Sequence, residues 1–173
     1  MALEQIQSLI RDVPDFPKPG IIFKDITPLL SDPKGFDTTI RMLADAAADF
    51  DAESILAIES RGFLFGAALA LKLGLPIHLV RKKGKLPREA VAIQYELEYG
   101  VDHLEVHTDA IVEGSRYLIV DDVIATGGTA GAVGRLVEQQ AGIVAGYAFV
   151  IELTSLSGRG QLGDRPIASL IKY

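Results

Sequence analysis

Residues 117–129 read YLIVDDVIATGGT, and this stretch restricts the fold more tightly than any other. The apolar run from Tyr117 to Val120 lacks the polar alternation of a half-exposed strand, so it predicts a strand buried on both faces. The strand is expected to span 116–120 and to end on two adjacent carboxylates, Asp121 and Asp122. A turn of small residues then leads into a helix predicted at about 129–140. A strand covered on both faces needs helices on either side of its sheet, which is the α/β arrangement with mainly parallel strands. In such sheets ligands collect beyond the carboxyl ends of the strands, where the chain turns into a helix.

The rest of the chain keeps the same rhythm. Leu3, Ile6, Leu9 and Ile10 line one side of a short N-terminal helix, and three prolines and a glycine between 14 and 20 make a loop. Ser31 or Asp32 caps a helix that has Pro33 at its first position. Buried strands are predicted at 54–58, 76–80, 143–153 and 167–171, with a helix at 63–73 stopped by Gly74. Residues 81–88, RKKGKLPR, are basic and punctuated by glycine and proline, which predicts a mobile loop. Residues 94–99 and 104–108 look like a hairpin-type pair around 100–102.

Composition narrows the function. A net charge of -6 argues against a dedicated nucleic-acid binder, which needs cations to displace counterions from phosphates. With no cysteine there is neither a disulfide framework nor a thiolate metal site. The N-terminal segment carries acidic and amide groups unlike a signal peptide, and no apolar run is long enough for a bilayer span. The chain reads as a soluble cytoplasmic protein with no membrane or nucleic-acid partner, and its 173 residues suit one domain.

The turn itself suggests a ligand. Ala125, Thr126, Gly127, Gly128 and Thr129 expose successive backbone N–H groups at a helix N-terminus, with threonine hydroxyls beside them. That arrangement holds a phosphate. Two carboxylates nearby would repel the same ligand unless they accept hydrogen bonds from sugar hydroxyls or meet a cation. A phosphorylated sugar diol satisfies both demands better than bare phosphate.

This segment resembles the phosphoribosyl-pyrophosphate signature of the type I phosphoribosyltransferases, whose fold is a five-stranded, mainly parallel sheet flanked by helices, with a hood over the site. Three further segments resemble the adenine-specific branch of that family: PGIIFKDITPL at 19–29, IESRGFLFG at 58–66 and RKKGKLPREAVAIQYELEYG at 81–100. The resemblance implies transfer of the 5-phosphoribosyl group from phosphoribosyl pyrophosphate to adenine, giving AMP and pyrophosphate, by a glycosyltransferase of purine salvage. It implies a single domain over 1–173, a hood made by about 1–30 with the C-terminal part, and a flexible loop at about 81–99. Phe23 would stack on the purine while main-chain groups at Ile22 and Lys24 read its edge, with apolar Leu153 on the other face. Ser60, Arg61 and Gly62 would form a pyrophosphate loop, and Arg81, Lys82 and Lys85 would face the same leaving group. Glu98 and Tyr99 are carried over as catalytic-loop residues. Where the family usually has a threonine after the loop glutamate, this chain has Ala90. Mg²⁺ is expected to arrive with the substrate rather than on dedicated protein ligands, and the resemblance implies a homodimer.

Read without the resemblance, Phe23 suits a core position and the basic run a solvated loop. Gly158, Gly160 and Gly163 match GxGxxG, but no helix follows, so they are read as a glycine-rich loop. His103 and His107 lie in a strand-like stretch rather than on a helix that would suit a metal. Two other functions fit the signature. A transferase for guanine or xanthine is disfavoured because oxopurines reverse the donor and acceptor pattern at position six. A non-catalytic sensor of phosphoribosyl pyrophosphate is disfavoured by the full basic loop and the absence of a nucleic-acid-binding segment.

Overall fold

A computed structural model of the chain describes residues 2–97 and 100–173. The N-terminal pieces cover one face of the sheet. Helix α1 (Ala2–Ser8) buries Ile6, and β1 (Arg11–Pro14) pairs antiparallel with β2 (Ile22–Asp25). After the short α2 (Thr27–Ser31), helix α3 (Pro33–Ala46) starts as its sequence demands. Asp32 accepts a hydrogen bond from the Gly35 N–H at 2.6 Å, and Pro33 occupies the first turn, where it sacrifices no helical donor.

Strand β3 (Ser54–Ile58) is buried at every position. It leads to α4 (Gly62–Leu73), which ends on Gly74 in the left-handed region at φ 69°. The next strands are β4 (Ile77–Lys82), the antiparallel pair β5 (Ala90–Leu97) and β6 (Gly100–His107), and β7 (Arg116–Ile124). Helix α5 (Gly128–Gln139), β8 (Ile143–Glu152) and β9 (Ile167–Lys172) complete the main sheet, whose order is β5-β6-β4-β3-β7-β8-β9. The five strands from β4 to β9 in that order are parallel. The expected five-stranded parallel core is thus present, extended at one edge by an antiparallel hairpin.

Strand periodicity sorts the core. Tyr117 and Ile119 of β7, with Tyr147 and Phe149 of β8, join the cluster under α5. Their alternates Leu118, Val120, Ala148 and Val150 join the cluster under α3 and α4. Successive side chains leave a strand on opposite faces, so one continuous apolar run feeds two cores.

Three expectations change. Strand β7 does not end at Val120 but continues through both carboxylates to Ile124, held there by β8. The strand-like pair read at 94–99 and 104–108 is present, but its first strand, β5, already begins at Ala90, because apolar Ile93 and Tyr95 are buried in the α5-side core. Gly100 pairs with Leu97, so residues 100–102 are strand rather than turn.

At the amino ends of the strands, Arg116 closes the sheet. Its Nε donates to the Asp51 carbonyl at 2.7 Å and Nη2 to the Phe50 carbonyl at 3.1 Å, while its main-chain N–H donates to Glu53.

Candidate active site

The opposite ends of the strands are open. Strand β3 follows β7 only as far as the Ala57–Val120 pair, whereas β7 runs on beside β8. From Asp121 onward one edge of β7 therefore faces a cavity of about 690 Å³. Ser60 and Arg61 enter it from the β3–α4 turn, Phe16 and Phe23 from the N-terminal ribbon, and Lys82, Tyr95 and Asp102 from the hairpin side.

Asp121 and Asp122 differ sharply in their surroundings. Asp122 is buried and meets Arg61 Nε at 2.8 Å. Its own N–H donates to Asp121 Oδ1 at 2.8 Å. Burial first, and the neighbouring Asp122 charge second, push the Asp121 pKa well above the usual carboxylate range. The Arg61 guanidinium also lies 4.9 Å from the centre of the Phe23 ring, and Phe16 meets that ring edge-on at 5.2 Å. Gly62 lets the β3–α4 turn approach the acid-bearing strand: a Cβ there would stand 2.8 Å from Asp121 Oδ1 and 2.9 Å from the Val120 carbonyl oxygen.

Facing the acids is the start of α5. Gly127 precedes it at φ 79°, and no side chain caps it. The first bond into the helix runs from the Gly131 N–H to the Gly127 carbonyl. The N–H groups of Gly128, Thr129 and Ala130 therefore have no acceptor within the helix, and all three residues line the cavity. Such a terminus attracts an anion through both its donors and the helix dipole.

The hairpin side adds charge. Lys82 Nζ lies 3.2 Å from Asp102 Oδ2, an interaction that raises the lysine pKa. For Asp102 the His103 N–H leads in lowering the pKa, with Lys82 contributing. Glu59 accepts from Arg81 Nε at 3.1 Å and from the Lys82 N–H at 3.0 Å. The cavity thus carries an acid pair on one wall, an anion-seeking helix start on another, and a cation with an aromatic pair at its mouth.

Residues 29–159 match the family model for the phosphoribosyl transferase domain. Over 173 residues, all of both chains, the sequence is 54% identical to the adenine phosphoribosyltransferase of Thermoanaerobacter pseudethanolicus (strain ATCC 33223 / 39E). The chain belongs to the adenine phosphoribosyltransferase family. The adenine phosphoribosyltransferase of Solibacter usitatus (strain Ellin6076) is likewise 54% identical, over 99% of each chain. The crystal structure of the Thermoanaerobacter pseudethanolicus protein superposes with a TM-score of 0.96 over 99% of each chain. That of the Saccharomyces cerevisiae adenine phosphoribosyltransferase, complexed with an imino-altritol bisphosphate and adenine, has a TM-score of 0.91 at 42% identity and covers 98% of each chain.

Seen within this family, the sequence-predicted residues divide into four groups. Ser60, Arg61, Lys82, Asp121, Asp122, Ala125, Thr126, Gly127, Gly128, Thr129 and Phe23 line one cavity, and Gly62 abuts Asp121. Arg81 and Lys85 instead line a second hollow of about 410 Å³ together with Arg88 and His107. The Lys24 side chain pairs with Asp12 at 2.6 Å and lies over the Tyr173 ring, and exposed Ile22 sits beside it in β2. Neither lines the cavity. Leu153 follows β8, donates its N–H to the Ile124 carbonyl, and packs on the α3–α4 core. Glu98 and Tyr99 lie outside the described residues.

Sequence reasoning missed Phe16, Glu59, Tyr95 and Asp102, which line the cavity. It also missed Gly158, whose backbone packs against Ala125 and Gly127. The glycine cluster around Gly158 was the one available signal, since a glycine without a turn to explain it marks close backbone approach.

A magnesium ion fits this donor set as a substrate-borne ion. Magnesium keeps several waters and takes one or two carboxylates with substrate phosphates. The two carboxylates on the cavity wall, Asp121 and the Arg61-paired Asp122, would need the substrate's phosphates to hold such an ion.

Proposed function

We propose that this chain transfers the 5-phosphoribosyl group from phosphoribosyl pyrophosphate to adenine, giving AMP and pyrophosphate, in purine salvage. The observation that carries this reading is the Asp121–Asp122–Arg61 wall opposite the uncapped α5 N-terminus in one cavity. A ligand with a phosphate at one end, a diol in the middle and a second anion beyond matches those walls in order. The adenine names of relatives identical at 54% along the whole chain support the choice of base.

The N–H groups of residues 128–130, with the Thr126 and Thr129 hydroxyls, hold the 5-phosphate. Asp121 and Asp122 engage the ribose hydroxyls and favour positive charge on the ring. Arg61, Lys82 and, from the neighbouring loop, Arg81 and Lys85 attract the leaving group. Phe23 stacks on adenine, the Ile22 and Lys24 main chain reads its edge, and Leu153 covers the far face. The bond from the anomeric carbon to the pyrophosphate oxygen breaks, with its electron pair leaving on pyrophosphate. The bond to N9 of adenine forms, and the N9 proton is released, with Glu98 as its acceptor and Tyr99 as the second catalytic-loop residue. Most of the acceleration is electrostatic, because charge separates at the reacting carbon inside a shielded site. When bound, Mg²⁺ neutralises charge on the pyrophosphate. A homodimer in the cytoplasm completes the reading, and among the described residues no helix is long and apolar enough to cross a membrane.

The test is AMP formation from adenine, phosphoribosyl pyrophosphate and Mg²⁺, with hypoxanthine and guanine as rival bases. Selective conversion of adenine is expected. Turnover of an oxopurine would overturn the base assignment, and tight phosphoribosyl pyrophosphate binding without turnover would make the chain a sensor.

A further inference from the structure

The turn after β8 is fastened by charge at one end and leans on the α5 entry loop at the other. It is a 3-10 turn (Gly158–Gln161). A Cβ at Gly158 would collide with the Ala125 carbonyl and stand 3.0 Å from the Gly127 nitrogen. A Cβ at Gly127 would collide in return with the Gly158 carbonyl, and one at Gly131 would stand 2.8 Å from the Gln161 carbonyl. Backbone meets backbone at each of these contacts, with side-chain atoms of Ile124 and Gln161 beside them. The backbone of 158–161 is the rear wall of the loop whose front faces the cavity, so a shift of the turn passes directly to residues 125–131.

Arg159 anchors that wall. Its Nε donates to Glu152 Oε1 at 2.6 Å and its Nη2 to Glu152 Oε2 at 2.7 Å. The same Nη2 lies 3.0 Å from Ser169 Oγ, and the Ser169 hydroxyl donates to Glu152 Oε2. Glu152 ends β8, and its side chain is 8% exposed. Ser169 belongs to β9. A planar two-bond pair fixes direction as well as distance, which a point charge does not.

We propose that Arg159 is a positioning residue: gripped by Glu152 and Ser169, it sets the 158–161 turn as the rear wall of the phosphate loop and so tunes affinity for the 5-phosphate end of the substrate. This rests on the assignment of residues 125–129 to that phosphate. A purely structural pair would weaken the protein without preference for either substrate. A rear wall acts selectively, because the base is held elsewhere.

The experiment measures the KM for phosphoribosyl pyrophosphate, the KM for adenine, and the Kd of ribose 5-phosphate by calorimetry. The proteins are wild type, Arg159→Met, Arg159→Lys, Ser169→Ala and Thr129→Ala. Arg159→Met is expected to raise the phosphoribosyl pyrophosphate KM and the ribose 5-phosphate Kd about tenfold, with adenine KM changed by less than about twofold. Arg159→Lys recovers only part of the loss. Ser169→Ala, which leaves the ion pair in place, shifts the same two constants less, and it carries the test if Arg159→Met does not fold. Equal effects on both substrates, or a lower melting temperature with unchanged ribose 5-phosphate affinity, would overturn the proposal. Unchanged ribose 5-phosphate affinity in Thr129→Ala would instead remove the phosphate-loop assignment itself, and the proposal with it.

Discussion

Asp121 and Asp122 are chain neighbours set in different surroundings. Asp122 is buried against Arg61, while Asp121 carries a pKa pushed upward by burial and by its neighbour's charge. Asp122→Asn keeps the shape and removes the charge. Turnover is expected to fall about 100-fold, since the variant alters an electrostatic wall rather than a core. The melting temperature should move by only a few degrees; a collapse in stability with modest kinetic loss would make the residue structural. The acid limb of the kcat/KM profile should also shift to lower pH in this variant. It should stop short of an ordinary carboxylate, because burial is the larger cause of the Asp121 shift. Both acids and the glycine turn were readable from the chain, as their types and spacing are local. Asp102 was not: its role depends on Lys82, twenty residues away in sequence and adjacent only across the β4–β6 ladder.

The β3–α4 turn shows how closely a helix approaches the acid-bearing strand. Gly62→Ala would place a methyl group on Asp121 and the Val120 carbonyl, an overlap relieved only by moving α4. Overpacking of this kind costs about 1–3 kcal/mol. A lower melting temperature and a kcat at least about tenfold below wild type are expected. Unchanged kinetics would mean that α4 yields without disturbing the carboxylates. At this scale the apolar runs were reliable guides: β3 spans the predicted residues, and Gly74 stops α4 where its φ requires. Two boundaries were not legible. Strand β7 passes its carboxylates because β8 keeps pairing with it, and β5 begins at Ala90, ahead of the strand-like 94–99, because Ile93 and Tyr95 reach the α5 core. Both depend on partners distant in sequence.

Across the whole molecule, the sheet divides two cores, and the Glu152–Arg159–Ser169 group ties the last strands to the loop beside the cavity. Arg159 first, and then Ser169, hold the Glu152 pKa at about 2. The folded value lies below the unfolded one, so the stabilisation is complete above the usual carboxylate range and disappears as pH falls through about 2. The melting temperatures of wild type and Glu152→Gln should therefore differ near neutrality and converge as pH falls from about 5 to about 2. A constant gap would mean that the variant acts through packing alone.

Arg116 sits at the far rim, with its bonds spent on Phe50, Asp51 and Glu53 at the amino ends of the strands. The chemistry occupies the other rim, so toughness and catalysis have separate addresses. Anyone seeking a hardier biocatalyst has a place to work there: new links around residues 50–53 would stiffen the scaffold while leaving the reacting groups, a full strand length away, untouched.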